Sequence, residues 1–483
     1  MKENKIAEQV PVKLGFIGLT ALVFGMVVGA GIFNIPQNMA HEAGLGAVLV
    51  SWLITAVGIL LLVATFKILA DRHPEYDAGI YQYARDGYGR YSGFNVALGY
   101  WLCTCFANIA YAVMLNDTFG TFFPILLDHG FPTVIFGSVL IWAIYFVVIR
   151  GMRTARALTI ALSLIKILAI LLIIVLLVAN SKIGMFSYDF WGRLTDLGGF
   201  AGQVKSTMLV TLWCFIGIEG AVMMSGRARR NTDIGRAGVT GFLVSWLLYV
   251  MVSIFSFGVM TQPELAALED PSVAYVLRYV CGDWAYYIVM ASIIICLLGG
   301  WVAWSLVCGE VPYTAAKVGI FPKKFMRLNS REMPAYGLFI SSIIMQLFLL
   351  IVTMDDNVYL AAISITGMMI LPAYLVSGMF LLKISLRPGG LCTNDKQNIL
   401  KCRVIAVLCT IFCAWMIYAG GLDLFMKTSL FYLAGFIFYY QAWRDHREEN
   451  IQLLTTGERL GLLFIVLCAI GSAFVVWNEM YSR

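Results

Sequence analysis

Thirteen long apolar segments, separated by short polar loops, constrain what this chain can fold into. A bilayer-crossing helix takes about 20 apolar residues. Of the 483 residues, 60% are hydrophobic and 13% are charged, and that charged share is about half that of a soluble domain. The sequence therefore predicts an all-α polytopic membrane protein and excludes a water-soluble globule. The segments lie at 14–39, 45–70, 93–116, 132–149, 157–179, 204–225, 237–260, 284–308, 336–354, 357–382, 404–420, 426–442 and 459–477.

The eleventh and twelfth segments are short and only a few residues apart, so twelve spans are the alternative count. Most of the 34 basic residues lie in the N-terminal stretch and in alternate loops. Because cytoplasmic loops hold the excess of Lys and Arg, the N-terminus is predicted to be cytoplasmic. The expected location is the inner (plasma) membrane of the cell, with the lipid bilayer as a partner and no nucleic acid.

Glycines interrupt the first and the sixth apolar segments at mid-membrane depth. The first holds Gly29 and Gly31 with Pro36 after them, and the sixth holds Gly217 and Gly220. Glycine permits non-helical backbone, and lipid cannot satisfy the N–H and C=O groups that a break frees, so each break must line a protein cavity. The freed N–H groups suit a carboxylate and the carbonyls suit an ammonium, which an α-amino acid carries together.

The alternative is that these glycines only let neighbouring helices pack closely. Interrupted helices at corresponding places in two halves are, however, the sequence pointer to an inverted-repeat transporter. The pair of interruptions, five segments apart, therefore favours a carrier.

Two charged residues lie deep inside apolar segments, where charge is costly and usually functional. Glu219 follows the break in the sixth segment and is predicted to couple the pathway to substrate or protons. Its alternative role is to accept hydrogen bonds from N–H groups freed by the break. Lys166 lies about ten residues into the fifth segment, too deep to reach water easily. The alternative to a functional role is a lysine whose stem packs on apolar side chains while its ammonium reaches water at the membrane surface.

Four motifs lie in or next to the apolar segments: GAGIFNIP at 29–36, WCFIGIEG at 213–220, GGW at 299–301 and AAKVGIFP at 315–322. Together they resemble the amino acid–polyamine–organocation superfamily. Within that superfamily, PEYDAGIYQYAR at 74–85 and ALGYW at 97–101 resemble the basic amino acid antiporters, especially arginine/ornithine exchangers. The similarity extends over nearly the whole chain.

The resemblance implies one membrane transport domain over 1–483 with a LeuT-like five-plus-five inverted repeat. The first repeat would cover 14–200 and the second 201–385, followed by two or three additional transmembrane helices in 400–483, for 12–13 in total. It also implies the substrate-binding residues, which are Val27, Ala30, Gly31, Ile32, Tyr100, Asn108, Trp213, Ile216, Trp301 and, more weakly, Thr366.

In this resemblance Ala30, Gly31 and Ile32 offer backbone to the substrate carboxylate, and Trp213 and Trp301 cover the ligand. Val27 and the carbonyls near Trp213 and Ile216 receive the α-ammonium. Lys166 is similar to a lysine whose ammonium takes the place of sodium in related transporters. Arginine/agmatine exchangers of the superfamily have a serine at the position of Ala30, so one side-chain hydrogen bond to substrate is missing here.

The predicted function is sodium-independent exchange of cationic amino acids by alternating access, with arginine against ornithine. The alternatives are exchange of an amino acid for its amine (histidine/histamine, tyrosine/tyramine or arginine/agmatine) and a lysine permease. The small-molecule amino acids or amines are the expected partners, and a homodimer is a further possible assembly. No cofactor, metal site or catalytic residue is expected.

Overall fold

The chain is described by a computed structural model over residues 15–73, 79–127, 130–220, 229–352, 358–391, 395–446 and 452–481. These residues form eighteen α-helices, a few single 3₁₀ turns and connecting loops, with no β-strand among them. Residues 74–78 of the antiporter motif lie outside the described part. The helices are α1 (Phe16–Val27), α2 (Ile35–Ala40), α3 (Leu45–Arg72), α4 (Ile80–Tyr88), α5 (Arg90–Gly120), α6 (Phe131–Ile149), α7 (Met152–Asn180), α8 (Ile183–Ser187), α9 (Phe200–Trp213), α10 (Asn231–Phe257), α11 (Gln262–Ala266), α12 (Ser272–Cys281), α13 (Asp283–Lys317), α14 (Ala335–Val352), α15 (Val358–Leu386), α16 (Lys396–Ala419), α17 (Leu422–Asp445) and α18 (Thr456–Tyr481).

Nine helices in the described ranges are long and apolar enough to cross a membrane. Each of the thirteen predicted segments contains helix within the described residues, and the first and sixth are interrupted; residues 14, 221–225, 353–354 and 357 of these segments lie outside the described part. The eleventh and twelfth predicted segments, which are short and close together, correspond to the 24-residue helices α16 and α17. Both are among the nine helices long and apolar enough to cross a membrane. The all-α polytopic fold is therefore confirmed.

Helix α5 is the centre of the bundle. The most apolar stretch of α5 is entirely buried inside the protein, whereas only 17% of that of α18 is buried. Helices α13 and α15 pack along α5, so its side chains face protein on all sides. The C-terminal helix α18 instead lies at the rim, with apolar side chains such as Leu463 and Phe464 exposed, as expected for a surface that contacts lipid.

Both predicted interruptions are present. Helix α1 ends at Val27, a 3₁₀ turn covers Ala30–Phe33, and α2 begins at Ile35 with Pro36 in its first turn, where a missing N–H costs nothing. Helix α9 ends at Trp213, and turns follow as far as Glu219. Within these turns Gly217 has φ of +107°, a conformation that L side chains rarely adopt.

Candidate functional site

A small cavity lies between the two interruptions. Its walls come from both broken segments and from α5, α10 and α13. The lining consists of backbone at the first break, two tryptophans, two tyrosines and the apolar side chains of Met26, Val27 and Ile216, and none of the described lining residues is acidic. The lining residues are Met26, Val27, Gly29, Ala30, Gly31, Tyr111, Trp213, Ile216, Tyr249 and Trp304.

The carbonyl groups freed at the end of α1 attract positive or donor groups. The Tyr249 hydroxyl donates to the Val27 carbonyl at 3.1 Å. The Lys166 Nζ donates to the carbonyls of Val28, at 2.5 Å, and Gly25, at 3.1 Å. The break thus presents a cluster of acceptors on the side of α1, as expected from the partial negative charge at a helix C-terminus.

Trp213 lies directly over the first interruption. A Cβ atom built at Gly31 would lie 2.8 Å from the Trp213 Nε1, so only hydrogen fits between the Gly31 backbone and the indole. The Tyr111 hydroxyl leaves no room for a Cβ atom at Gly29 either, and it lies beside the Ala30 backbone. The two aromatic side chains therefore cover the backbone that a ligand would contact.

The structure brings together half of the residues predicted to bind substrate. Val27, Ala30, Gly31, Trp213 and Ile216 line the cavity. The others are buried near it but do not line it, and their roles stay predictions: Ile32, Tyr100, Asn108, Trp301 and Thr366.

Three of these outer residues have identifiable surroundings. The Asn108 amide nitrogen donates to the Thr104 carbonyl at 2.9 Å and to the Cys308 Sγ at 3.1 Å. The Thr366 hydroxyl donates to a carbonyl of its own helix, that of Ala362, at 2.8 Å, a common arrangement for threonine in a helix. The Tyr100 hydroxyl instead lies close to the Glu219 carboxylate.

Sequence reasoning missed Tyr111 and Tyr249. Tyr111 follows Tyr100 by eleven residues on α5, about three helical turns, so both lie on one face. That spacing would have identified Tyr111. No spacing relates Tyr249 to the break, because its contact with Val27 joins residues 222 positions apart.

Lys166 is 4% exposed and does not reach water along its stem. Its ammonium lies at the broken end of α1 and also lines a smaller pocket with Cys296 and Gly299. A buried ammonium with two carbonyl partners, one of them at 2.5 Å, holds the end of α1 against α7. The lysine is thus placed to stabilise the non-helical backbone.

Glu219 is fully buried beside the second break. Its Oε2 accepts hydrogen bonds from the Tyr374 hydroxyl at 2.8 Å and from the Gly217 N–H at 3.1 Å. Its Oε1 has no hydrogen-bond partner among the described residues. Glu219 therefore accepts a hydrogen bond from one N–H group freed by the break, as the structural role suggested in the sequence analysis requires. It also connects the break to α15 through the hydrogen bond with Tyr374.

The end of the bundle that carries α4 is closed by contacts between α4 and the C-terminal end of α13. The Arg85 Nη1 donates to the Val318 carbonyl at 2.9 Å, and the Tyr81 hydroxyl pairs with that of Thr314. Lys383 on α15 donates to the Gly87 carbonyl. These contacts join α4 to the end of α13 and to α15.

For the predicted substrate class, cationic amino acids, Gly31→Ala is expected to raise the concentration that half-saturates exchange by about tenfold. The added methyl must displace Trp213, and overpacking of this kind costs about 1–3 kcal/mol, where 1.4 kcal/mol corresponds to tenfold. Exchange in proteoliposomes at equal protein content measures the effect. Gly25→Ala is the matched control, because a Cβ there meets nothing within 4 Å. Equal half-saturation for both variants and the wild type would show that Trp213 and Gly31 do not form the site.

Comparison with known proteins gives a consistent picture. A family model described as amino acid permease matches residues 14–442. An arginine/agmatine antiporter of Chlamydia trachomatis serovar L2 is 39% identical, with 96% of each chain covered. An arginine/agmatine antiporter of Chlamydia pneumoniae is 38% identical over the same shares. Among solved structures, MhsT in complex with L-phenylalanine is similar in fold, with a TM-score of 0.55 and 16% identity, over 84% of this chain and 98% of that chain.

Proposed function

Because this chain belongs to the amino acid permease family, we propose that it exchanges cationic amino acids across the membrane by alternating access, without sodium. The proposed pair is arginine and ornithine. The observation that carries the proposal is the cavity between two interrupted helices, where backbone acceptors and aromatic rings face each other. Such a site can hold the polar ends of an amino acid with backbone groups.

The walls of the cavity suit a cationic side chain. Trp213 and Trp304 supply aromatic faces, and a cation over such a face gains about 0.5–2 kcal/mol depending on its desolvation. None of the described lining residues carries a carboxylate, so a cation would be held there without a fixed counter-charge from them. The Val27 carbonyl is the proposed acceptor for the α-ammonium, which would replace the Tyr249 hydroxyl.

Alternating access requires one end of the pathway to be closed while the other opens. With the N-terminus proposed to be cytoplasmic, the α4 end faces the cytoplasm and the α12 end faces outward. The contacts of Arg85 and Lys383 with backbone carbonyls then form the inner closure. Their release would open the cavity to the cytoplasm.

A second candidate is exchange of arginine for agmatine, favoured by the names of the relatives that are 38–39% identical. The two candidates differ in charge. Arginine and ornithine each carry one net positive charge at neutral pH, so their exchange moves no net charge. Agmatine carries two, so exchange against arginine responds to the membrane potential.

The test is efflux of labelled arginine from preloaded proteoliposomes, with different compounds supplied outside. Ornithine is expected to accelerate efflux, and a potential set with valinomycin and potassium is expected to leave that rate unchanged. Agmatine as the faster partner, with a potential-dependent rate, would establish the second candidate instead. Efflux that responds to histamine or tyramine but to none of ornithine, lysine and agmatine would contradict both.

A further inference from the structure

Helices α3 and α9 are joined by two pairs of buried hydroxyl side chains. The Thr207 hydroxyl donates to the Ser51 hydroxyl at 2.7 Å, and the Thr55 hydroxyl donates to that of Thr211, also at 2.7 Å. All four residues are at most 2% exposed. A buried hydroxyl group costs free energy unless it is hydrogen-bonded. Each pair therefore favours one alignment of the two helices over the others.

The acceptor of each pair is also bonded within its own helix. Ser51 donates to a carbonyl of α3 at 2.8 Å, and Thr211 donates to a carbonyl of α9 at 2.9 Å. Thr207 has a second acceptor in its own helix, the Val204 carbonyl at 3.0 Å. Removing the donor hydroxyl of Thr55 or Thr207 would therefore break the contact between the helices and leave the former partner hydrogen-bonded.

A third contact extends this row to the beginning of both helices. The Gln203 Oε1 accepts a hydrogen bond from the N–H of Gly44, the residue before α3, at 3.0 Å. Gln203, Thr207 and Thr211 are spaced by four residues and lie on one face of α9. Their partners follow in the same order along α3, so the two helices run parallel. We call this row the α3–α9 zipper; its contacts are Gly44–Gln203, Ser51–Thr207 and Thr55–Thr211.

The α3–α9 zipper ends next to the cavity. Trp213, two residues after Thr211, is the last residue of α9 and lines the cavity. Its indole lies so close to Gly31 that a Cβ atom there would not fit. One turn after Thr211, the Phe215 ring packs against the Trp52 ring of α3, with 6.1 Å between the centroids. The rotation and height of α9 against α3 therefore decide where the indole lies.

We propose that the α3–α9 zipper positions Trp213 over the first interruption, so that Ser51, Thr55, Thr207 and Thr211 are positioning residues for substrate binding. None of these four is among the described lining residues of the cavity. This role rests on the proposed function for its substrate. A rotation of α9 would move the indole away from the backbone that the substrate contacts. The apparent affinity falls with the fraction of protein in the binding-competent arrangement.

Half-saturation of arginine exchange in proteoliposomes tests this role. Thr55→Val and Thr207→Val remove a donor and preserve the shape of the side chain. Each is expected to raise half-saturation about threefold, and the double variant about tenfold, because one interhelical hydrogen bond in a membrane contributes modestly. The maximal rate per recovered protein is expected to stay close to the wild-type value.

The matched control is Thr118→Val. Thr118 is fully buried on α5, and its hydroxyl donates to the Met114 carbonyl of the same helix at 2.6 Å. This variant removes a buried hydroxyl without a contact between helices, and it is expected to keep the wild-type half-saturation. Thermal unfolding of the purified proteins shows that the variants are folded.

Two further measurements separate positioning from a general effect on the fold. The double variant Thr55→Ser and Thr207→Ser keeps both hydroxyl groups and is expected to restore wild-type half-saturation. In a Trp213→Phe background, the two valine substitutions are expected to add no more than about a twofold increase, because the effects of residues that act through one another do not add.

Three results would overturn the positioning role and leave the proposed function intact. They are unchanged half-saturation in the double valine variant, serine variants that behave like the valine variants, and the full effect of the valine substitutions in the Trp213→Phe background. If Trp213→Phe does not exchange arginine, the serine variants decide. Absence of arginine exchange by the wild type would instead overturn the proposed function.

Discussion

Glu219→Gln is expected to slow arginine exchange at least about tenfold and to flatten its pH dependence. The carboxylate is fully buried and joins the second break to α15 through the Gly217 N–H and the Tyr374 hydroxyl. Glutamine keeps an acceptor oxygen for these donors but carries no charge and cannot exchange a proton. A charged hydrogen-bond partner contributes about 1.5–3 kcal/mol, which corresponds to tenfold or more in rate.

The measurement is exchange of arginine in proteoliposomes at equal pH on both sides, from 5 to 8. Glu332→Gln, at an exposed loop residue, is the control for loss of a carboxylate. Tyr374→Phe separates the two roles, because it removes one hydrogen bond but leaves the charge. If Glu219→Gln kept the wild-type rate and pH profile, Glu219 would be a structural acceptor for the break and would take no part in coupling.

The interruptions could be predicted from sequence because their causes are local. Glycine and proline act on the backbone of their own residue, so Gly31, Pro36 and Gly217 indicate non-helical backbone wherever they fall in an apolar segment. The membrane then requires that this backbone face protein or a cavity. The all-helical, polytopic character of the chain followed in the same way from the length of the apolar segments.

The walls of the cavity could be predicted only in part. Backbone positions such as Ala30, which the resemblance indicated, line the cavity because they belong to the break itself. It did not identify Tyr249, whose hydroxyl meets Val27 only because α10 packs against α1. Side-chain contacts between distant segments depend on helix rotation and packing, and one sequence contains no direct signal for them. Asn108 shows the same effect, because the Sγ of Cys308 on α13 receives its amide hydrogen.

The two intramembrane charges were evident from sequence, but their partners were not. A lysine inside an apolar segment predicts a functional or structural partner, without saying which. The structure supplies the Gly25 and Val28 carbonyls, 141 and 138 positions away. Lys166, an intramembrane charge, thus contacts the interruption that the glycines of the first segment indicate. A substitution of Lys166 therefore tests the role of both features.

Lys166→Met is expected to reduce the rate of arginine exchange at least about thirtyfold, an effect at least as large as that of Glu219→Gln. Methionine preserves much of the apolar stem but leaves the carbonyls of Gly25 and Val28 without their donor, and each unsatisfied buried acceptor costs about 1–3 kcal/mol. The end of α1 would then refold toward regular helix or admit water, and either change displaces Val27 from the cavity. Wild-type exchange is expected to be equal in sodium and choline media, because we propose that the Lys166 ammonium takes the place of sodium at the break.

Lys205→Met is the matched control, since that lysine lies on a helix of the same bundle, above the ring of Tyr418 at 4.7 Å, and away from the break. Lys166→Arg tests whether a positive charge at this position is sufficient for exchange. This variant is also expected to lose most of its exchange activity, because a planar guanidinium needs more room than an ammonium between two carbonyls. A requirement for a sodium gradient in wild-type exchange would contradict the proposal that the Lys166 ammonium takes the place of sodium. Full activity of Lys166→Met would show that the broken backbone is held by Tyr249 and the glycines without help from α7.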